Sequence, residues 1–226
     1  MEPLKKFGQI QKQSPSMPDM GKINAQTLVD LSEDEVFVFR VAACNDQVDR
    51  DYERFTKQTL QNLAKLYVGR PMIVDHNWTA LGQTARIYDA GVETKGEVTR
   101  LMLSAYMVRN EHTAPVIAAI EAGILREVSV GCQVAHAVCN ICGADKTETS
   151  CSHCPGMEYD GKMCVVDLDG AVDAYEVSFC AVPSQPGAGV TKSYGGEGKP
   201  PHNEEEVNKA LAKLELEKIR FFGGSQ

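Results

Sequence analysis

The sequence lacks any long uninterrupted apolar run. No stretch of its 226 residues approaches the roughly 20 consecutive apolar residues that a membrane-spanning helix needs. No positively charged segment followed by an apolar one opens the chain, so we expect no secretory leader. These absences predict a soluble protein that neither binds a membrane nor is secreted.

The chain also lacks an excess of positive charge. Lys and Arg total 23 against 31 Asp and Glu, which gives a formal net charge of -8. Non-specific binding to nucleic acid needs a basic face that neutralises phosphates. No patch combines basic and aromatic residues as single-strand binders do. The sequence therefore argues against a nucleic-acid-binding module, including one of the zinc-ribbon type.

Periodic apolar residues are scarce at both ends of the chain. Residues 1–34 carry prolines among Gln, Ser and Lys, and we expect a flexible N-terminal arm there. Residues 191–226 predict a Gly- and Pro-rich linker and then a charged C-terminal helix. The folded domain is expected over residues 35–190.

The predicted domain is built mainly from strands. Six or so strand patterns and two helix patterns occur in a mixed order, without the regular alternation of a parallel α/β fold. The clearest helix pattern is at 56–69, with Thr56 as its N-cap. The expected fold class is α+β and mainly β: a small closed antiparallel β-barrel flanked by helices and interrupted by a cysteine-rich insert.

The insert contains two C-x-x-C pairs in the segment "CNICGADKTETSCSHC". Each pair can present two thiolates from one turn, and zinc prefers a closed tetrahedral set of four such ligands. The loop has almost no apolar residues, so a metal is expected to order it. We therefore predict a zinc-knuckle insert over 136–165 that holds a structural zinc. The predicted ligands are Cys139, Cys142, Cys151 and Cys154, with His153 as the rival for the fourth position.

Two strands carry polar residues on the face opposite an apolar one. In "LREVSVGC", Ser129 lies between Val128 and Val130, and in "YEVSF", Glu176 and Ser178 alternate with apolar residues. A serine and a carboxylate on such faces, with a histidine between them, would form an activated serine.

His76 is the histidine best placed for this role, because it follows the apolar run of "PMIVDHNW". Asp75 is an alternative acid, although in an extended segment its side chain would point away from that of His76. The other four histidines lie at a helix start, in or beside the insert, or in the C-terminal linker. The structural alternative is that Ser129, His76 and Glu176 are ordinary surface residues.

Three segments together resemble a known family. "IVDHNW…LGQTARIYDA", "GILREVSVGC" and "YEVSFCAVPSQPGAGV" are similar to the prohead (capsid maturation) serine proteases of caudoviruses, which are distantly similar in fold to the herpesvirus assembly protease. The resemblance covers about residues 36 to 190. It implies that Ser129 is the nucleophile, His76 the general base and Glu176 the third catalytic residue. The cysteine insert departs from the minimal family pattern.

The resemblance also implies a function. The chain would be a serine endopeptidase that cleaves scaffold and major capsid proteins, and itself, during phage prohead maturation. It would act in the host cell cytoplasm inside the assembling prohead, as a homodimer or higher oligomer. Catalysis would need no cofactor. The alternative is a non-catalytic, zinc-bearing capsid assembly or scaffolding module that binds a partner through its C-terminal helix.

Overall fold

The computed structural model describes residues 17–190. Within them lie three α-helices, two short 3₁₀ turns and ten β-strands. The helices are α1 (Met17–Asn24), α2 (Lys57–Tyr67) and α3 (Ala114–Glu121). The strands are β1 (Val36–Asn45), β2 (Glu53–Phe55), β3 (Pro71–Val74), β4 (Ala85–Lys95), β5 (Val98–Val108), β6 (Val128–Cys139), β7 (Glu158–Tyr159), β8 (Lys162–Met163), β9 (Val166–Phe179) and β10 (Gly189–Val190).

Eight of these strands form one sheet, in the order β10-β1-β5-β4-β3-β9-β2, and β6 also pairs with β9. Strand β9 organises this sheet. It pairs in parallel with β2 and β3 and antiparallel with β6 over almost the whole length of β6. The two shortest strands of the insert, β7 and β8, form a separate hairpin. The α+β, mainly β class predicted from the sequence is confirmed.

The sheet is not the closed antiparallel barrel that we predicted. An isolated bridge joins Glu127 to Gly189, but no continuous ladder follows it, so the circle of strands stays open. Two pairings of β9 are parallel, so the sheet is mixed. The reason is that alternation along a strand shows which face is buried but carries no information on the partner of that strand.

Helix α2 covers the core side of the sheet, as its sequence pattern predicts. The Thr56 side chain accepts a hydrogen bond from the Thr59 backbone N–H and caps the helix. Leu60, Leu63 and Tyr67 are fully buried and belong to the main hydrophobic core. Burial of each leucine contributes roughly 1.5–3 kcal/mol. With 11 residues, α2 is the longest of the described helices, and none of them is long and apolar enough to cross a membrane.

The part of the N-terminal arm that the structure describes is ordered, contrary to our expectation for 1–34. Residues 17–24 form α1, and its Met20 and Ile23 are buried in a second apolar cluster with Tyr88 and Tyr106. Two apolar residues three positions apart suffice to dock one turn of helix, which is too short a pattern to detect in sequence. Residues 1–16, the linker and the C-terminal helix predicted in 191–226 lie outside the described residues.

Candidate active site and metal centre

A tight turn after β3 places His76. Asp75 and His76 both have a φ of 52°, and the backbone N–H of Asn77 donates to the carbonyl of Val74 over 3.0 Å. Two successive left-handed residues closed by this hydrogen bond define a type I′ turn. The backbone N–H of Asp75 donates to the Phe179 carbonyl at 2.9 Å, which fixes the turn to β9.

The turn corrects our expectation that Asp75 and His76 continue an extended segment. Left-handed backbone costs of order 1–3 kcal/mol at a non-glycine residue, although Asp tolerates it better than most residues do. Such strain persists only where surrounding contacts impose it, and it is often found at functional sites. The sequence offered no glycine or Asn-Gly pair to mark this turn.

Glu176 on β9 meets the His76 ring. The Nδ1 atom of His76 lies 2.7 Å from Oε1 of Glu176. The Glu176 side chain is only 4% exposed, whereas that of His76 is 44% exposed. A buried carboxylate therefore holds an imidazole that still reaches the surface. This contact favours the tautomer with its proton on Nδ1 and leaves Nε2 able to accept one.

Ser178, for which the sequence predicted no role, makes hydrogen bonds to both residues of this pair. Its hydroxyl donates to Oε2 of Glu176 at 2.7 Å and accepts the backbone N–H of His76 at 2.9 Å. Ser178 is completely buried, so these two bonds satisfy a hydroxyl that burial would otherwise leave unpaired. The available signal was its position two residues after Glu176, on the same strand face.

Gly131 on β6 provides the space for the carboxylate. It stands opposite Glu176 in the ladder between β6 and β9, and a Cβ atom at this position would collide with Oε1 of Glu176. Glu176 therefore occupies the space that a side chain at residue 131 would fill.

Ser129 lies on the strand beside this group. It stands directly opposite Ser178, so its side chain shares the face of Ser178 and Glu176. It is half-buried and lines a cavity of about 200 Å³ whose walls combine apolar residues such as Phe55 and Val130 with the acidic residues Asp49, Asp51 and Glu53. Among the described residues its hydroxyl makes no hydrogen bond to His76. The structure thus joins His76 to Glu176 and places Ser129 on the neighbouring strand, opposite Ser178, without a hydrogen bond to His76.

The cysteine insert forms a candidate metal site where β6 ends. Four ligand atoms lie within 4.8 Å of one another, and they belong to Cys139, Cys142, Cys151 and His153. The Sγ atom of Cys151 lies 3.4 Å both from Sγ of Cys142 and from Nδ1 of His153. The structure therefore brings together three of the predicted cysteines and the rival histidine.

Cys154, which we predicted as the fourth ligand, is not part of this group. It is exposed, and its backbone N–H donates to the Tyr159 hydroxyl at 2.9 Å. The edge of the His153 ring packs on Tyr159, with ring centroids 4.5 Å apart. One aromatic side chain thus orients the segment so that the histidine, not the cysteine, points inward.

The electrostatics at Cys139 favour the metal-binding form of the thiol. Burial raises its pKa, but backbone N–H groups of Cys142 and Ile141 and neighbouring thiols outweigh burial, so that the pKa falls to about 6. The thiolate is the form that binds a metal. Cys164, fully buried, brings a further sulfur to 3.9 Å from that of Cys139.

Polar contacts hold the rest of the insert. The Asp145 carboxylate accepts the backbone N–H groups of Ala137 and Thr147 and pairs with His136 at 2.7 Å. The Thr147 N–H and then His136 lower the pKa of this carboxyl well below its usual range. Such hydrogen bonds stabilise an insert that has few apolar residues to bury.

Comparison with known proteins returned no match, whether with protein-family models, with curated proteins or with solved structures.

Proposed function

We propose that the protein is a serine endopeptidase of the prohead-protease type, with Ser129 as nucleophile, His76 as general base and Glu176 as the acid that orients His76. The observation that carries the proposal is the 2.7 Å contact between the buried Glu176 carboxylate and the partly exposed His76 ring. Ser129 lies on the neighbouring strand, on the same face. This arrangement supplies the base and the orienting group that an activated serine requires.

In the proposed reaction, the Ser129 hydroxyl attacks a peptide carbonyl while Nε2 of His76 takes its proton. The imidazolium, stabilised by Glu176, then protonates the leaving amine as the C–N bond breaks, which leaves an ester on Ser129. Water attacks this ester and gives a proton to His76, and the new carboxyl group leaves as Ser129 recovers its hydrogen. A Ser129–His76 hydrogen bond is expected to form when substrate binds, since catalytic contacts are often longer in free enzymes.

The metal centre would hold a structural zinc. Four protein ligands, Cys139, Cys142, Cys151 and His153, complete the tetrahedral set that closed zinc sites use. A full set leaves no coordination position for water or substrate. The zinc would therefore stabilise the insert, and catalysis would depend on the serine site alone.

The substrates and location belong to the same proposal. Scaffold and major capsid proteins, and the chain itself, would be cleaved inside the assembling prohead in the host cell, by a homodimer or higher oligomer. The three segments that resemble prohead proteases support this part. They contribute His76, Ser129 and Glu176, the residues that the structure places on adjoining elements.

A second candidate is a non-catalytic, zinc-bearing assembly module on the same scaffold. The observation that favours it is the absence of a hydrogen bond between the Ser129 hydroxyl and His76 among the described residues. In that case the contact of His76 with Glu176 would serve only to stabilise the turn after β3.

Protein cleavage by the purified full-length chain separates the two candidates. The wild-type chain should cleave an unstructured protein such as casein, and its own mass should fall with time. Ser129→Ala should abolish both activities and keep the fold. Ser184→Ala is the matched control, because Ser184 is an exposed serine that lines the same cavity. Cleavage by a folded Ser129→Ala protein would rule out the proposed nucleophile.

A further inference from the structure

A surface groove of about 320 Å³ opens beside the contact between His76 and Glu176. Glu176 itself forms part of its wall, together with Ile73 of β3 and the rings of Trp78 and Tyr175. Glu176 belongs to the groove and also contacts His76, so the groove adjoins the proposed general base, while Ser129 lines a separate cavity.

The groove is suited to an uncharged, apolar group. Among residues 17–190, Glu176 is the only charged residue that lines it. Both carboxylate oxygens of Glu176 are already engaged, Oε1 with His76 and Oε2 with Ser178. The Glu176 side chain is only 4% exposed and offers little surface to a cationic ligand group, whereas an aliphatic or aromatic side chain would contact the apolar walls.

Trp78 is the most conspicuous part of this wall. It is 68% exposed, and its ring centroid lies 5.5 Å from that of Tyr175 with the planes tilted by 53°. A tryptophan that stays this exposed leaves a large apolar area in water, and tryptophan is enriched among residues that dominate binding energy at interfaces.

The same chain segment positions Trp78 and His76. After the turn that holds His76, the Thr79 backbone N–H donates to the Asn77 carbonyl at 2.8 Å. A Cβ atom on Gly82 would lie 2.6 Å from Oγ1 of Thr79, so the chain packs closely against itself here. The aromatic wall and the proposed base are therefore held in a fixed relation to each other.

We infer that this groove binds a bulky apolar side chain, such as Leu or Phe, of the peptide substrate close to the scissile bond. The inference rests on the proposed function, because it takes the occupant to be a peptide presented to Ser129. A volume of about 320 Å³ lies at the lower end of the range for ligand pockets, which suits one or two side chains.

Trp78 makes the inference directly measurable, since it is the only tryptophan in the chain. Full-length Ser129→Ala protein would be titrated with unstructured decapeptides that carry Leu, Phe, Ala or Lys at one position. The Leu and Phe peptides should give a saturable change in tryptophan emission, and the Ala and Lys peptides should bind at least tenfold more weakly. Equal responses to all four peptides, or none, would overturn the inference.

Cleavage kinetics provide the second arm. In the active chain, Trp78→Ala should lower kcat/KM for the Phe peptide about tenfold and leave the Ala peptide almost unchanged. Leu81→Ala is the matched control, because Leu81 is 89% exposed in the same segment and does not line the groove. Trp78→Phe should retain most of the preference for the Phe peptide, which would show that the aromatic surface is responsible.

The two arms separate the inference from the proposed function. Selective binding of Leu and Phe peptides without any Ser129-dependent cleavage would uphold the groove and contradict the protease. If cleavage depends on Ser129 but Trp78→Ala does not change the preference for the Phe peptide over the Ala peptide, the protease would be upheld and the inference about the groove overturned.

Discussion

At the residue scale, one buried hydroxyl connects the parts of the proposed site. Ser178 bonds the Glu176 carboxylate and the backbone of His76, and it stands opposite Ser129. Removal of a fully buried serine with two such partners should cost more stability than its size suggests, since burial limits the access of water that could replace the lost hydrogen bonds. We regard Ser178 as a positioning residue that acts through Glu176.

Ser178→Ala should lower kcat at least tenfold with little change in KM, and should lower the free energy of unfolding by about 1–3 kcal/mol. The kinetic effect should vanish in a Glu176→Gln background, because the hydroxyl acts through that carboxylate. Steady-state kinetics on the four proteins of this double-mutant cycle, with urea denaturation, test the role. Strictly additive losses in kcat would show that Ser178 has a structural role only.

Glu176→Gln should reduce kcat by up to about 10⁴-fold, the loss known for removal of the orienting acid in a serine protease. The side chain is 4% exposed, so water has little access to replace the lost acceptor. Asp75→Asn is the control for the alternative acid and should keep nearly full activity, since Asn also tolerates the left-handed backbone of this position. If Asp75→Asn loses peptide hydrolysis and Glu176→Gln keeps it, Asp75 would be the acid that orients His76.

At the element scale, the ladder between β6 and β9 creates the site. Its register sets Ser129 opposite Ser178 and Gly131 opposite Glu176, and a bulge follows Gly131. Bulges often lie next to functional sites, where they redirect a side chain. A β6 strand displaced by one residue would separate every one of these pairs.

Gly131→Ala should therefore displace the Glu176 carboxylate. We expect loss of peptidase activity and destabilisation by about 1–3 kcal/mol from overpacking. Gly91→Ala on β4 is the matched control, because a Cβ atom there meets nothing within 4 Å. Activity assays and urea denaturation compare the two variants. Wild-type activity in Gly131→Ala would mean that the position of Glu176 is not critical.

The metal centre is an element-scale feature as well, because its ligands close the loop between β6 and β9. Cys139→Ser or His153→Ala should abolish stoichiometric zinc, whereas Cys154→Ser should retain it. Zinc binding of structural type supplies on the order of 10 kcal/mol, so its loss should disorder much of 136–165. Elemental analysis and hydrogen exchange provide the readouts. If Cys154→Ser loses zinc and His153→Ala keeps it, the fourth ligand would be Cys154, as predicted from the sequence.

Some of these elements could be predicted from the sequence, because local patterns specify them. The cap and apolar stripe of α2 and the polar faces that carry Ser129 and Glu176 are examples. Two features could not be predicted. The left-handed turn at His76 depends on a contact with β9, and the position of His153 rather than Cys154 in the ligand group depends on a contact with Tyr159. Neither contact leaves a trace in the neighbouring sequence.

At the scale of the whole molecule, β9 separates the two sites. Ser178 lies near one end of this strand, and Val166, opposite Cys139, begins the other end. Twelve residues of strand span roughly 40 Å at 3.3 Å per residue. The candidate metal centre thus lies far along the strand from the serine site, and the ladder between β6 and β9 that joins them contains two register shifts.

The closed barrel that we predicted is wrong because strand pairing over long sequence distances cannot be read from local patterns. Parallel pairing of β9 with β2 and β3 joins segments about 100 residues apart in the chain, and no local pattern encodes such a contact. The apolar faces of the strands were predictable, whereas the burial of Glu176 and Ser178 on the opposite face, and the order and direction of the strands, were not.

Removal of the metal should leave the serine site working. Treatment of the full-length chain with a chelator should release the zinc and increase hydrogen exchange in 136–165. Peptidase activity should fall less than threefold, because none of the metal ligands contacts His76, Glu176 or Ser178. Complete inactivation that zinc reverses would contradict a purely structural metal.

The most direct test of the central claim is the site of covalent labelling by a fluorophosphonate, which reacts with activated serines. Mass spectrometry of the digested full-length protein should place a single adduct on Ser129, and His76→Ala should abolish it because the hydroxyl then lacks its base. An adduct on another serine, or none on a folded wild-type chain that zinc saturates, would contradict the assignment of Ser129 and His76 as nucleophile and base.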